Sequence, residues 1–334
     1  MAVTNSLAHK EPQKQTFSAF LSTDVVKNQI NRILGSNNSQ RFISAIVSAV
    51  SCNPALQDCD NSTIVSAALL GEGLKLSPSP QLGHYYIVPF DDKKRGCKVA
   101  QFEIGYKGYI QLAIRSGQYK KLNVLAIKEG ELESFDPLTE EIKISLMADD
   151  WDKRNSAPTI GYYAFFELVN GFRKALYWSK NQMIAHADQF SQAFSKEAAT
   201  VKGKNGKEYS KVSYADYEAG NYDPKDAWLY SSFWYKDFDS MAYKTMLRQL
   251  ISKWGVMSIE MQTAFENDMT VENSDGTRSF TEVDDDIIDM PGQDEPQEPE
   301  GDSEDTSPES KALESQMTME QAMDPSAVLF GNKG

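Results

Sequence analysis

The sequence predicts an α+β fold made of an N-terminal helical lobe, a central twisted antiparallel sheet with packed helices, and a disordered acidic C-terminal tail. Three observations support this prediction. Apolar residues in the first third recur at helical spacing, and the middle third alternates apolar with polar residues between turn signals. Beyond about Glu272 the chain is acidic and almost free of aromatic residues, so it cannot bury enough apolar surface to offset its ordering entropy.

The N-terminal lobe is predicted to follow a flexible polar segment at residues 1–15. Helices are expected at residues 16–34, 40–52 and 63–72, where apolar residues fall on one side of a 3.6-residue repeat. Glycines at positions 71 and 73 mark the end of the third helix.

The central region is predicted to begin with a hairpin, in which strands at 85–90 and 101–104 flank a charged turn at 91–96. A short helix follows, and it includes Lys107. Asn170–Gly171 is a strong signal for a tight hairpin. Further strands are expected at residues 122–128, 142–146, 159–169 and 173–179.

The C-terminal part of the core is predicted to be helical at residues 181–190 and 233–254, and Ser258 can cap a final short helix that ends at Phe265. Gly255 ends the 233–254 helix, and Lys244 and Arg248 lie off its buried stripe. That stripe consists of Tyr243, Leu247, Leu250, Ile251 and Trp254.

The charge of the chain is unevenly distributed. Residues 271–334 carry 18 acidic side chains against three basic ones, so the formal net charge of −14 belongs to this segment and residues 1–270 have a net charge of +1. The three cysteines fit a reducing compartment, and they lack the paired spacing of a zinc site. No segment reaches the roughly 20 apolar residues of a membrane span, so we expect a soluble intracellular protein.

Motifs for chemical catalysis are missing from the sequence. GKNGK at residues 203–207 lacks the spacing and the hydroxyl of an ATP-binding P-loop, and the three histidines are scattered. Asp91–Asp92 and Asp149–Asp150 resemble metal-binding pairs, but both fall in predicted turns, where aspartate is common. We therefore expect no cofactor, no metal site and no enzymatic activity.

One edge of the predicted helix near Lys107 is basic and polar. Ile110, Ala113 and Ile114 are expected to anchor its opposite side. Such an edge can follow a phosphate backbone, but it is also typical of a solvated helix face. Its members recur at i, i+4, i+8 and i+11 and share one face: Lys107, Gln111, Arg115 and Gln118.

Further basic and aromatic residues extend this candidate site. Aromatic faces can stack on bases, although Tyr109, between apolar neighbours, is expected in the core. Tyr85 and Tyr86 point to opposite faces of a strand, so at most one of them reaches the surface. Gly105 and Gly108 suit either phosphate binding at a helix N-terminus or a tight turn. The candidates are Tyr106, Tyr119, Lys120 and Lys121 beside the first helix, and Lys236, Lys244 and Arg248 in a second basic set.

Four sequence blocks together resemble the RecT family of phage single-strand DNA annealing proteins. They are IVSAALLGEGLKL at 64–76, LGHYYIVPF at 82–90, FEIGYKGYIQLAIRSGQ at 102–118 and FDSMAYKTMLRQLISKWGVMSIEMQTA at 238–264. The resemblance implies a DNA-annealing and oligomerisation core at 16–270, with an insertion at 195–230, followed by the acidic tail at 271–334.

The resemblance also implies a function. The expected activity is ATP-independent binding of single-stranded DNA and annealing of complementary strands in phage homologous recombination. A homo-oligomeric ring or helical filament would carry it out in the cytoplasm of a bacterial host, with both basic sets in the nucleic-acid groove. A phage 5′-to-3′ exonuclease and the host single-strand binding protein are the implied partners, and the tail could dock them. Passive coating of single-stranded DNA and a metal-dependent nuclease remain as alternatives.

Overall fold

The N-terminal lobe and a set of antiparallel sheets form the fold in this computed structural model, which describes residues 15–92, 95–191, 193–202, 208–273 and 275–280. All described residues belong to one compact unit. The helices are α1 (Phe17–Leu21), α2 (Asp24–Leu34), α3 (Ser36–Cys52), α4 (Asn61–Gly73), α5 (Tyr106–Ser116), α6 (Trp151–Ser156), α7 (Lys180–Phe190), α8 (Tyr214–Glu218), α9 (Phe233–Lys236), α10 (Phe238–Trp254) and α11 (Ile259–Asn267). Short 3₁₀ turns cover Pro54–Asp58 and Pro224–Tyr230.

The strands pair only in antiparallel fashion within the described residues, which confirms the predicted α+β class. Their spatial orders are β1-β2-β10-β11, β3-β6-β7, β4-β5 and β8-β9. The strands are β1 (Tyr85–Asp92), β2 (Cys97–Ile104), β3 (Tyr119–Lys128), β4 (Leu132–Asp136), β5 (Glu141–Ile144), β6 (Thr159–Leu168), β7 (Arg173–Ser179), β8 (Ala199–Lys202), β9 (Glu208–Lys211), β10 (Thr270–Glu272) and β11 (Arg278–Phe280).

The predicted hairpins are confirmed. Strands β1 and β2 pair in register from Tyr85 opposite Ile104 to Asp92 opposite Cys97. Strands β6 and β7 meet through the Asn170–Gly171 turn, where Gly171 has a φ of 89°, a conformation that favours glycine.

Two helices that the periodicity predicts as continuous are interrupted. The segment 16–34 divides into α1 and α2 because the hydroxyls of Ser22 and Thr23 donate to the carbonyls of Ser18 and Phe20 and end the first helix. The segment 233–254 divides into α9 and α10 at Asp237, whose side chain accepts a hydrogen bond from the Ser240 amide and caps α10. The Ser258 cap of α11 is confirmed.

Residues 195–230 contain more structure than the exposed loop or hairpin that their polarity suggests. The hairpin is present as β8 and β9, but α8 and the following 3₁₀ turn also bury Tyr214, Leu229 and Tyr230. The physical reason is the high tyrosine content, because a tyrosine ring can pack in a core while its hydroxyl remains hydrogen-bonded. The hydroxyl of Tyr230, for example, accepts from the Val212 amide at 2.9 Å.

The fold also continues past the predicted boundary at residue 270. Thr270 pairs with Phe102 of β2, Val271 is buried, and Arg278 donates to the Thr270 hydroxyl at 2.9 Å. Composition misses this hairpin because its strands are only three residues long and their stability comes from pairing with a distant strand. Residues 1–14 of the predicted flexible segment at 1–15, and residues 281–334 of the predicted tail at 271–334, lie outside the described residues.

Two hydrophobic clusters form the core, and α10 lies between them. Leu247 and Ile251 pack into the first cluster with the N-terminal helices, β1, β2 and α5. Met246 and Leu250 pack into the second with β6, α7 and the 208–238 segment. Helix α10 is therefore covered on more than one side, and its buried surface is wider than the predicted stripe. Among the described residues no helix is long and apolar enough to cross a membrane.

Two glycines of α4 provide a matched test of packing. A Cβ added at Gly71 would lie 2.3 Å from the ring of the fully buried Tyr85, whereas one added at Gly73 would meet nothing within 4 Å. We predict that Gly71→Ala lowers the free energy of unfolding by about 1–3 kcal/mol through overpacking. Gly73→Ala should leave it unchanged or raise it by up to about 1 kcal/mol through helix propensity. Urea unfolding of both variants checks this, and equal effects would contradict the packing of α4 on β1.

Candidate nucleic-acid interface

Helix α5 is held by a close approach of two backbone segments at its N-terminus. Gly105 accepts no side chain there, because an added Cβ would lie 2.3 Å from the carbonyl oxygen of Gly83. An added Cβ at Gly108 would lie 2.1 Å from the carbonyl oxygen of His84. The His84 carbonyl also accepts the Gly105 amide at 2.9 Å. Both glycines are therefore explained by packing of the 83–84 segment against the helix.

The predicted exposed edge of α5 is present. Lys107, Arg115 and Gln118 are exposed and Gln111 is half-buried. The opposite side is centred on Tyr109, Leu112 and Ala113, which are fully buried. The placement of Tyr109 in the core is thus confirmed.

Ile114 corrects the predicted anchor of α5. Its side chain is 61% exposed, although the sequence pattern places it on the buried side with Ile110 and Ala113. The buried face is centred on residues 109, 112 and 113, and position 114 lies one helical step of about 100° beyond residue 113, away from that centre.

Arg115 has a structural partner as well as an exposed surface. Its guanidinium donates to the carbonyl oxygen of Leu74 at 2.6 Å and to that of Lys75 at 3.4 Å, so it satisfies carbonyls at the end of α4. Burial lowers the pKa of nearby His84, and the charges of Arg115 and Lys107 lower it further. The fields of these two cations therefore overlap at His84.

Three partly exposed aromatic rings surround the start of α5, and we call Tyr86, Tyr106 and Phe233 the aromatic platform. The ring centroids of Tyr86 and Phe233 are 5.7 Å apart, and Phe233 is 46% exposed. The Lys107 ammonium lies 5.9 Å from the Tyr106 ring, and exposed Lys236 ends α9, which begins at Phe233. Tyr85 is buried and Tyr86 is not, as strand alternation predicts. Sequence reasoning missed Phe233, because nothing local indicates that it lies beside β1.

A second group of cations lies at the start of β3, and we call Lys120, Lys121, Arg173 and Glu167 the Glu167 cluster. The ammonium of Lys120 lies 2.7 Å and that of Lys121 3.6 Å from the Glu167 carboxylate, and the Arg173 Nε lies 3.1 Å from it. The carboxylate is 2% exposed, while each cation is at least 60% exposed. These cations hold the pKa of Glu167 below its usual value, mainly through the Lys120 hydrogen bond. The cluster therefore presents three cations against one anion.

A bulge explains why consecutive lysines reach the same carboxylate. The register of β3 with β6 shifts between Tyr119 and Lys121, so Lys120 is an extra residue opposite β6. Without this shift the two lysines would point to opposite faces of the strand. Arg173 lies directly opposite Glu167 on β7, a cross-strand neighbour that the sequence pattern could not reveal.

Tyr119 is partly buried and packs against both hydrophobic clusters. Its ring packs edge-on against Phe166 with centroids 5.5 Å apart, and its hydroxyl donates to the carbonyl oxygen of Val256 at 2.9 Å. Burial raises the pKa of Tyr119 to about 12. Its contact with DNA stays a prediction.

The prediction that Lys244 and Arg248 lie off the buried surface of their helix is wrong. They are 5% and 3% exposed, because α10 is covered from both sides by the two hydrophobic clusters. Both pair with buried Asp268: the Lys244 ammonium lies 3.2 Å and the Arg248 Nη1 3.0 Å from its carboxylate. Neither can reach a ligand on the surface without a rearrangement of the core.

Asp268 is the centre of a larger buried network. Its carboxylate also accepts hydrogen bonds from the Ile104 amide at 2.9 Å and the Tyr109 hydroxyl at 3.1 Å. Burial works against the charged ammonium of Lys244, but Asp268 and Glu103 outweigh this and raise the pKa of Lys244. The network joins β2, α5 and α10 through one carboxylate.

Comparison with known proteins identifies the class of this chain. The sequence model of the RecT family matches residues 40–283. The chain belongs to the RecT family. It is 38% identical over 269 residues to the uncharacterized protein YqaK of Bacillus subtilis (strain 168), covering 80% of this chain and 77% of that protein. It is also 29% identical over 266 residues to Protein RecT of Escherichia coli (strain K12), covering 78% of this chain and 84% of the relative.

Membership of the RecT family confirms the resemblance and gives a class of function: DNA binding and single-strand annealing in recombination. The aromatic platform, the exposed edge of α5 and the Glu167 cluster all lie inside the matched region. The roles of individual residues in this RecT-family protein remain predictions.

Three other features of this RecT-family protein bear on alternative chemistries. Within the described residues no group of three or more histidine, cysteine, aspartate or glutamate side chains could hold a metal ion. Asp150 caps α6 by accepting from the Lys153 amide, and Asp92 pairs with Arg95. A cleft of about 330 Å³ contains none of the residues of the aromatic platform, the α5 edge or the Glu167 cluster. Its two lysines have partners, because Lys128 donates to the Thr159 hydroxyl and Lys180 pairs with Glu218.

The buried network gives a stability prediction. Asp268→Ala should lower the free energy of unfolding by about 3–5 kcal/mol, because it leaves the buried cations Lys244 and Arg248 without their carboxylate. Glu266→Ala, at an exposed carboxylate two residues away, should change it by less than about 0.5 kcal/mol. Chemical unfolding of the two variants measures the difference. A loss below about 1 kcal/mol for Asp268→Ala would show that the network is not a structural centre.

Proposed function

We propose that this RecT-family protein binds single-stranded DNA and anneals complementary strands without ATP in phage homologous recombination. The observation that carries the proposal is a set of exposed cations on and beside α5, together with partly exposed aromatic rings. The set comprises Lys236 and Lys107 next to the aromatic platform, Arg115 on the α5 edge, and the cations of the Glu167 cluster.

The proposed mechanism depends on contacts between protein side chains and the phosphate backbone of the DNA. Exposed lysine and arginine side chains bind phosphates and release counterions, which gives strong affinity that is independent of sequence and sensitive to salt. The platform rings stack on bases and keep the strand extended. Because the cations contact the phosphates, the hydrogen-bonding edges of the bases stay available, and a second strand can pair with them. Base pairing then supplies the sequence specificity, and no covalent step or nucleotide cofactor is needed.

The uneven charge distribution makes this compatible with an acidic chain. The net charge of −14 comes from residues 271–334, whereas residues 1–270 are near neutral. Within the near-neutral part, several exposed cations lie on and beside α5 and in the Glu167 cluster. A local potential of this kind governs association with a polyanion more than the net charge of the whole chain does.

The short length of the surface supports a homo-oligomer. Helix α5 has 11 residues and is about 16 Å long, which matches about five phosphates of one strand at duplex spacing. A single protomer therefore contacts too few phosphates for tight binding. We propose that many protomers align in a ring or helical filament, so that their surfaces form one continuous groove for the first strand and then for the annealed duplex.

The remaining parts of the proposal concern the cellular setting. The protein would act in the cytoplasm of a bacterial host on single strands produced by a phage 5′-to-3′ exonuclease. The host single-strand binding protein would be a second partner. The acidic segment at 281–334 is the proposed docking site for these proteins.

The proposal predicts a specific change in salt dependence. Lys120→Ala combined with Lys121→Ala should weaken binding to a mixed-sequence oligonucleotide and reduce the slope of log affinity against log salt by about 1.4, or about 0.7 for each lost phosphate contact. Lys27→Ala combined with Arg32→Ala, which removes two exposed cations of α2 outside the matched region, should leave the slope unchanged. Fluorescence anisotropy at several salt concentrations measures both.

A second assay tests annealing. Wild-type protein should accelerate the pairing of complementary strands in the absence of nucleotide, and quenching of end labels measures this rate. A protein that binds single strands but does not speed their pairing would be a passive coating protein. Equal slopes for the Lys120/Lys121 variant and the control would remove the Glu167 cluster from the interface.

His84 provides a pH test of the same surface. Lys107 and Arg115 help to lower its pKa in the free protein, and a bound phosphate would offset their charges and raise it again. Binding should therefore be coupled to proton uptake, so affinity should increase as pH falls between the free and bound pKa values of His84. The chain has three histidines, and NMR titration with and without oligonucleotide, assigned with His84→Gln, measures the shift. An unchanged His84 pKa at saturation would place the strand away from α5.

A further inference from the structure

The cleft of about 330 Å³ lies where five elements meet, and DNA binding does not use it. Its walls come from the end of β3, the start of β6, the first residues of α7 and α10, and α8 of the predicted insertion. Sites for small molecules have volumes of about 300–1,000 Å³. A cleft near the lower end of this range suits one small molecule rather than a polymer chain.

Asp239 contributes a carboxylate to this cleft, and no cation compensates it. Its Oδ1 accepts a hydrogen bond from the Tyr162 hydroxyl at 2.7 Å. In the part of the chain that the structure describes, no lysine or arginine forms a salt bridge with it. Burial raises the pKa of Tyr162 and the charge of Asp239 raises it further, so the Tyr162 hydroxyl stays a donor. The second oxygen of the Asp239 carboxylate can accept hydrogen bonds from a ligand.

Lys128 is the converse case, because it is a cation with a neutral partner. Its ammonium donates to the Thr159 hydroxyl at 2.9 Å, and among the described residues no carboxylate pairs with it. The other lysine of the cleft, Lys180, pairs with Glu218. Lys128 follows a register shift between β3 and β6, and such irregularities can re-aim a side chain at the end of a strand. An ammonium has three donors, so Lys128 can also bind an anionic group of a ligand.

Buried aromatic rings form much of the remaining lining. Tyr162, Tyr214 and Phe238 all line the cleft and are at most 8% exposed. The centroid of the Phe238 ring lies 5.1 Å from that of Tyr214 and 6.2 Å from that of Tyr162. Because the rings hold one another in place, a flat ligand can contact them with little loss of side-chain entropy.

The three features together select the chemical class of the ligand. A simple anion would satisfy Lys128 but would bring negative charge towards Asp239, and a simple cation would have the reverse defect. A nucleotide satisfies both groups, because its phosphate pairs with the lysine and its flat base offers hydrogen-bond donors to the carboxylate. Among the bases, guanine suits a carboxylate best, since its N1–H and N2 amino groups are adjacent donors on one edge and a carboxylate accepts two parallel hydrogen bonds.

We propose that this cleft binds a guanine mononucleotide, with its phosphate on Lys128, its guanine edge on Asp239 and its base against the aromatic rings. Because α8 belongs to the predicted insertion and β6 to the central sheet, the bound nucleotide joins the two and stabilises the insertion. Binding requires no hydrolysis of the nucleotide, so it is compatible with annealing without ATP. The proposal does not depend on DNA binding, since the cleft shares no residue with the proposed DNA surface.

Isothermal titration calorimetry of the full chain with dGMP, dAMP, dCMP and dTMP tests the proposal. Wild-type protein should bind one dGMP per chain and prefer it to the other three by about tenfold or more, the discrimination that one bidentate base contact provides. Asp239→Asn should abolish this preference, because the amide replaces one acceptor oxygen by a donor. Lys128→Ala should weaken dGMP binding about tenfold, the loss of one charged hydrogen bond, and leave the affinity for the nucleoside deoxyguanosine unchanged.

Lys225→Ala and Asp226→Asn are matched controls, because they remove the same charges from the 3₁₀ turn at Pro224–Tyr230, which does not line the cleft. Both should bind dGMP like the wild type, and so should the Lys120/Lys121 variant. Loss of dGMP binding in the Lys120/Lys121 variant would place the nucleotide on the DNA surface and overturn the proposal.

Three further results would contradict the guanine site. They are no binding of dGMP at millimolar concentration, equal affinity of the wild type for all four mononucleotides, and an Asp239→Asn protein that keeps the preference for dGMP. The base preference of the wild type and the comparison with Lys128→Ala decide the question even if Asp239→Asn alters folding. An oligonucleotide that binds as the wild type does to a protein saturated with dGMP would agree with two separate sites.

Discussion

The buried carboxylate of Asp268 is the interaction on which the orientation of the proposed DNA surface depends. It binds Lys244 and Arg248 of α10, the Tyr109 hydroxyl of α5 and the Ile104 amide of β2. These contacts fix the buried side of α5 at Tyr109, and the edge that carries Lys107 and Arg115 must then face outward. The basic residues of α10 thus act on the interface from inside the core, by holding the helix that presents it.

A second buried carboxylate, Glu167, pairs with cations that stay exposed, unlike those of Asp268. The ammonium and guanidinium of Lys244 and Arg248 are enclosed with Asp268, whereas the three cations around Glu167 keep most of their surface exposed. Glu167 compensates only part of their charge, so it gathers cations without neutralising them. This arrangement shows how a chain with a formal net charge of −14 can concentrate positive charge at one place.

Local signals predicted much of the fold and part of the site. The β1–β2 hairpin, the Asn170–Gly171 turn and the Ser258 cap depend on neighbouring residues and were predicted correctly. The burial of Lys244 and Arg248 was not predicted, because periodicity identifies one buried face of a helix and cannot show that a second cluster covers another face. The sequence indicated Lys120 and Lys121 as candidates. It could not indicate their partner Glu167 or the neighbouring Arg173, because these contacts depend on strand register, which no single segment contains.

The most direct test of the account is ultraviolet crosslinking of the full chain to a thymine-rich oligonucleotide, with the crosslinked residues identified by mass spectrometry. If the exposed edge of α5 carries the strand, crosslinks will occur at the aromatic platform, on Tyr86, Tyr106 and Phe233. Crosslinks at Tyr162 and Tyr214, which line the separate cleft with Lys128 and Lys180, and none at the platform, would contradict it.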